Sequence, residues 1–183
     1  MSIQVSNLVH PFISLSKIFP IEIISEKNKA IVVTGSNGSG KTTFLKLLLN
    51  ELLPKRGKIT VDGDIAFLGT KNGLKPQILL RQQLPYFLAK NVTFLWPHFL
   101  NMQYQELSAG QQRLVALWLI LQTVKPIILL DEPFAHLDSS SRNMAYTWLN
   151  AKINSQKTIV FSHHNLEELT EINGLQVLDL NQH

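Results

Sequence analysis

The sequence predicts an α/β fold with a largely parallel sheet. Three observations point there. Short β-branched runs alternate with helical stretches along most of the chain. The run Ala30–Val33 leads into a glycine-rich segment and then into a long apolar helical pattern. Pro126–Asp131 is continuously apolar up to its last residue, as expected of a strand buried on both faces of a parallel sheet.

Taken in order, Ile3–Val5, Ile21–Ile24 and Ala30–Val33 read as strands from their β-branched residues. Lys41–Leu53 reads as a largely buried helix that Pro54 stops. Lys58–Val61 and Ile65–Leu68 alternate like a strand pair around the Asp62–Gly63 turn. Gln77–Lys90 has helical character interrupted by Pro85, and Val92–Leu100 is aromatic and apolar around Pro97. A helix is expected from Ser108, its N-cap, to about Thr123. A helix over Ser139–Ile153, a strand over Lys157–Ser162, a short helix over Asn165–Ile172 and a strand over Leu175–Leu180 complete the pattern.

The chain has 183 residues, 45% of them hydrophobic and 16% charged, an ordinary balance for one domain with a real core. It has no cysteine, which excludes disulfides and thiolate metal sites. Its net charge of +4 is mild, and no lysine or arginine cluster points to nucleic acid. The longest apolar run, Leu114–Leu121, is far short of the ~20 residues a bilayer requires, and Met1–Ser16 lacks the pattern of a signal peptide. Work at a membrane would need another subunit to span it.

Gly35-Ser36-Asn37-Gly38-Ser39-Gly40-Lys41-Thr42 fits the phosphate-binding pattern G-x-x-x-x-G-K-[ST] in full, between an expected strand and an expected helix. Glycines let the backbone aim several N–H groups at one point, and the helix N-terminus adds positive potential. Lys41 offers a charge for the β- and γ-phosphates of a nucleotide, and the Thr42 hydroxyl is suited to Mg²⁺. At the carboxyl end of the apolar run stand Asp131 and Glu132, on the edge where open α/β sheets bind ligands. Asp131 is a candidate for Mg²⁺. Glu132, one residue on, is a candidate for orienting and deprotonating a water at the γ-phosphate.

Leu107-Ser-Ala-Gly-Gln111 opens a helix with Ser108 and the amides near Gly110, a second anion-favouring helix start. With Gln112 and Arg113 it resembles the signature motif of ATP-binding-cassette (ABC) proteins. Its place between the phosphate loop and Asp131-Glu132 matches that family. Phe134-Ala-His-Leu137-Asp138 resembles the family's loop after the acidic strand, and Ile159-Val-Phe-Ser-His163 its switch histidine. The resemblance runs from about Ala30 to the C-terminus.

That resemblance implies a phosphate-loop NTPase of the ABC type: a mainly parallel central sheet, a small antiparallel β region and a short helical subdomain. Residues 1–183 would form one nucleotide-binding domain, with the helical subdomain at about 74–123. Two cassettes would pair head to tail around ATP and Mg²⁺. Residues 35–42 and Thr43 would hold the nucleotide of one copy, while Ser108, Gly110 and Gln111 cap it from the other. Glu132 and His163 would be catalytic, His163 being preferred over His164 because it directly follows the strand. Thr42 and Asp131 would hold the metal, and Asp138 would couple the two sites.

Some features depart from the family. Thr70 or Lys71 stands where a metal- and partner-sensing glutamine is usual, and Gln77 lies too far along to replace it. A chain lacking that glutamine could also be a nucleotide-gated module with little hydrolysis. Phe12 is a candidate for stacking on adenine, with a place in the core as the alternative. A DNA- or ribosome-directed cassette would carry a coiled-coil insertion or a second cassette, and neither is present.

The signature Leu-Ser-Ala-Gly-Gln-Gln-Arg, followed by Val115-Ala-Leu, is similar to the ATP-binding subunits of haem exporters in cytochrome c maturation. So are Leu129-Leu-Asp-Glu-Pro-Phe134 and Leu68-Gly-Thr-Lys-Asn-Gly-Leu-Lys75. This resemblance implies a peripheral subunit on the cytoplasmic face of a bacterial inner membrane, bound to an integral membrane subunit. Tyr86–Leu100, with Phe87, Phe94, Leu95, Trp96 and Phe99, is a candidate docking stretch, or else the subdomain's own core.

Overall fold

The computed structural model describes residues 2–13, 20–69, 74–86, 95–155 and 157–181. Two sheets are present. A three-stranded antiparallel sheet has the order β2-β1-β4, formed by β1 (Ile3–Val9), β2 (Ile21–Ile24) and β4 (Arg56–Val61). A five-stranded sheet has the order β5-β6-β7-β3-β8, formed by β3 (Ala30–Thr34), β5 (Ile65–Leu68), β6 (Ile127–Leu130), β7 (Thr158–Ser162) and β8 (Leu175–Asp179). Every pairing in the second sheet is parallel. The mainly parallel sheet, the small antiparallel region and the cassette-type α/β architecture are as the sequence led one to expect.

Residues of β3 and β6 are fully buried because side chains from both faces of the parallel sheet meet apolar layers. On one face Val32, Ile128, Leu130 and Phe161 pack with helices α3 (Ala109–Leu121) and α4 (Ser139–Asn154). On the other, Ile31, Val33, Leu129 and Val160 pack with helix α1 (Lys41–Leu48) and with Ile3, Val5 and Ile23 of the antiparallel sheet. A third cluster joins Leu80 and Leu84 to Phe99, Tyr104, Val115, Trp118 and Leu119. Phe134 lies 2% exposed at the heart of the first layer, edge-on to Tyr146 at 4.8 Å and to Phe161 at 5.8 Å. Phe134→Ala should therefore cost about 3–5 kcal/mol of stability, readable as a lowered urea midpoint.

Several expectations need correction. Lys58–Val61 and Ile65–Leu68 are strands but do not pair with each other. The first pairs with β1 in the antiparallel sheet and the second with β6 in the parallel one, so the Asp62–Gly63 turn carries the chain between sheets. Local alternation signals a strand but leaves its partner open.

Helix α1 ends at Leu48 rather than Leu53. Asn50 takes a left-handed φ of 58°, Glu51 N donates to Lys46 O at 2.9 Å, and Asn50 N donates to Leu47 O at 3.1 Å. These are the two bonds of a Schellman stop, with asparagine in the place that glycine usually fills. Of the helix expected over 77–90, the described part is α2 (Leu80–Gln83) followed by a 3₁₀ turn, Leu84–Tyr86. The short helix expected at 165–172 is a 3₁₀ turn, Leu166–Leu169. Phe12 does not join the core: it is 70% exposed.

Candidate nucleotide site at the strand ends

The carboxyl ends of β3, β6 and β7 lie close together and carry the polar residues that the motifs single out. The glycine-rich loop leaves β3 and turns into α1. Gly40, the N-cap of α1, takes φ 102°, and a β-carbon there would lie 2.3 Å from the carbonyl oxygen of Phe12. Both the left-handed backbone and the close approach require glycine. Ser36, Asn37, Gly38 and Thr42 are exposed on this loop and helix start, Thr43 is half-buried, and Ser39 is buried. Gly35 and Lys41 anchor the loop: Lys41 Nζ donates to the carbonyls of Gly35 at 2.8 Å and Ser36 at 3.1 Å. The main chain of Phe12 thus runs beside the phosphate loop, while its exposed ring lies against His10, with centroids 5.5 Å apart.

At the end of β6, Thr42 Oγ1 donates to Asp131 Oδ2 at 2.9 Å, and Ser162 Oγ, at the end of β7, donates to Asp131 Oδ1 at 2.7 Å. The same Ser162 oxygen accepts from Glu132 N at 2.7 Å. One serine thus fixes both acidic residues. Thr42 and Asp131 present paired hard oxygens, a donor set that suits Mg²⁺.

Glu132 sits in a left-handed turn, φ 47°, which directs it away from Asp131. Its Oε1 lies 3.9 Å from Lys41 Nζ, and its Oε2 lies 3.6 Å from His163 Nδ1 and 3.4 Å from His164 Nδ1. Burial works against the Glu132 charge. Hydrogen bonding from His163 and His164, with the charges of His163 and Lys41, outweighs it and holds the carboxyl below its ordinary range.

His163 is buried between two carboxylates, with Nε2 3.6 Å from Glu168 Oε2. Arg142 in turn binds Glu168 at 2.9 Å. His164 is exposed yet reaches Glu132 more closely. A place directly after the strand favours His163, yet both histidines face the same carboxylate.

Glu132 stays ionised down to a pH below the ordinary glutamate range, and as a general base it would set an acidic limb on kcat/KM at that same lowered pH. His164→Ala removes one stabilising contact and should move that limb toward neutral pH in a pH–rate profile. A limb that stays in place would show that His164 does not act on Glu132.

Ser108 caps α3, accepting from Gln111 N at 3.2 Å, while Gln111 Oε1 accepts from Ser108 N at 2.9 Å. Both residues are exposed. Gly110 packs on the loop after β6, where a β-carbon would come within 2.7 Å of His136 O. Among the described residues, no hydrogen bond joins Ser108, Gly110 or Gln111 to the phosphate loop of the same chain. Asp138 caps α4, accepting from Ser141 N at 2.7 Å. That main-chain bond and the side chain of Ser141 hold its carboxyl below its ordinary range.

Arg113, which the motif includes without a role, reaches from α3 to the ends of β5 and β6 and donates to the carbonyls of Gly69, Asp131, Glu132 and Pro133. Thr70 and Lys71 lie outside the described residues, and Gln77 is exposed in a turn away from these contacts. Of the candidate docking stretch, Phe87 and Phe94 lie outside the described residues. Trp96 and Phe99 pack inward with Trp118 and Trp148, whereas Tyr86 and Leu95 are exposed.

The profile of the ABC transporter family matches residues 20–135, most of the chain. The chain belongs to the ABC transporter family. The ABC transporter ATP-binding protein NatA of Bacillus subtilis is 29% identical over 180 residues, spanning 81% of this chain and 72% of NatA. The cytochrome c biogenesis ATP-binding export protein CcmA of Bradyrhizobium diazoefficiens is 34% identical over 136 residues, 63% of this chain and 68% of CcmA. A dimeric ATP-binding cassette, solved after hydrolysis with ADP and phosphate, superposes with a TM-score of 0.75 at 19% identity, covering 98% of this chain and 97% of that one. The protein is thus an ABC transporter ATPase subunit that binds ATP. No helix among the described residues is long and apolar enough to cross a membrane.

Proposed function

We propose that this cassette hydrolyses ATP at the 35–42 loop as one half of a homodimer bound to an integral membrane subunit. The observation that carries the reading is the bonded chain Thr42–Asp131–Ser162–Glu132. It sets two carboxylates at fixed places, Asp131 against Thr42 and Glu132 3.9 Å from the buried Lys41. In this reading the loop amides and Lys41 bind the β- and γ-phosphates, Lys41 releasing the Gly35 and Ser36 carbonyls to do so. Thr42 and Asp131 hold Mg²⁺, which neutralises phosphate charge. Glu132 takes the proton of the attacking water, and His163, braced by Glu168, contacts the γ-phosphate.

Ser108 and Gln111 are exposed at a helix N-terminus with half-buried Gly110 between them, and the three engage the nucleotide of the second copy. Asp138, the N-cap of α4, helps couple the two sites. The dimeric cassette of the same fold supports this pairing. Residues 1–183 act as one nucleotide-binding domain, with 74–123 as its helical subdomain and Phe12 stacking on adenine.

The finer reading is the haem exporter complex of c-type cytochrome biogenesis, with the protein peripheral on the cytoplasmic face of the bacterial inner membrane and no part in nucleic-acid binding. The similarity to CcmA and the alanine-bearing signature favour it. A different ABC transporter is the second reading, favoured because NatA, at 29% identity, is as similar to this chain as the CcmA proteins are. Affinity purification of the tagged chain from its native membranes separates the two. Haem-handling subunits should copurify with ATPase activity, and a permease for another solute would overturn the haem assignment.

A further inference from the structure

We propose that Arg113 is a positioning residue for hydrolysis: it locks the turn that aims the Glu132 carboxylate and ties that turn to helix α3. The inference rests on the ATPase reading above. Arg113 leaves α3 one turn after its N-cap and crosses to the sheet edge. There Nε donates to Pro133 O at 3.3 Å, Nη1 to Gly69 O at 3.0 Å, and Nη2 to Glu132 O at 2.9 Å and to Asp131 O. Three of the four acceptors are consecutive carbonyls of the turn that holds Glu132, and the fourth ends the neighbouring strand β5.

A left-handed φ of 47° is unfavourable for glutamate and persists only where surrounding bonds over-determine it. Here the two ends of the residue are held separately, its N–H by Ser162 Oγ and its carbonyl by Arg113. A planar guanidinium with five donors can serve four carbonyls at once, whereas an ammonium with three donors at one point cannot.

The other end of this lever is the α3 N-terminus, where Gly110 presses on His136 O. A movement of α3 when its N-terminus meets a nucleotide on a second copy therefore reaches Glu132 through rigid hydrogen bonds. Arg113 thus joins the residues that act on one bound nucleotide to the carboxylate that acts on the other.

The test is a double-mutant cycle on the purified chain, with Arg113→Lys, Glu132→Gln and the double variant. It reads ATP affinity, single-turnover hydrolysis and the melting temperature. Arg113→Lys should bind ATP within about threefold of the unaltered chain while its hydrolysis slows on the order of ten- to a hundredfold, the size of a small misplacement. In the Glu132→Gln background the same substitution should slow the residual rate no further, because Arg113 acts through that carboxylate.

An unchanged rate in Arg113→Lys would overturn the proposal. So would a parallel fall in affinity, rate and melting temperature, or slowing that persists in full in the Glu132→Gln background. No turnover by the unaltered chain would overturn the ATPase reading itself and this proposal with it.

Discussion

Glu132→Gln is expected to bind Mg-ATP with nearly unchanged affinity and to hydrolyse it about 10²–10⁴-fold more slowly, the usual contribution of a general base. The structure explains why the loss should be so selective. Ser162 and Arg113 hold residue 132 through its main chain, so an isosteric amide leaves the turn intact. What disappears is the charge that would accept a proton in the proposed hydrolysis, together with its pairing to Lys41 at 3.9 Å. Lys41 then keeps its full charge for phosphate, and binding does not suffer. Radiolabelled ATP binding and phosphate release, measured on the same preparation, separate the two effects.

Lys41→Ala should show the converse, with ATP affinity weakened on the order of a hundredfold or more and hydrolysis lost for want of bound substrate. The magnitude follows from losing two charge-assisted hydrogen bonds to phosphate at a largely dry position. The helix should survive, since alanine is the best helix former and α1 is packed by Phe44, Leu45, Leu47 and Leu48. Circular dichroism should therefore match the unaltered chain. Retained ATP affinity in a folded Lys41→Ala protein would remove the loop from nucleotide binding.

The chemistry was more legible than the topology. The phosphate loop, the acidic strand end and the capped signature helix are each set within a few consecutive residues, so spacing and residue type suffice to find them. Long-range pairing is different. The alternation of Lys58–Val61 and Ile65–Leu68 is real, but their partners, β1 and β6, lie far away in sequence and split them between two sheets.

The early end of α1 depends on Asn50 accepting a left-handed turn, a weaker sequence signal than the proline that follows. His164 and Arg113 were missed as neighbours of Glu132 for a related reason. One is exposed beside a histidine that already fits the pattern, and the other serves main-chain carbonyls, whose positions no residue name reveals.

The measurement that bears most directly on the central claim is a structure of Glu132→Gln with Mg-ATP bound. It should contain two copies, with each triphosphate on the amides of 35–42 of one chain and against Ser108 and Gly110 of the other. Nucleotide bound to a single copy with Ser108 facing solvent, or lodged away from Thr42 and Asp131, would contradict it.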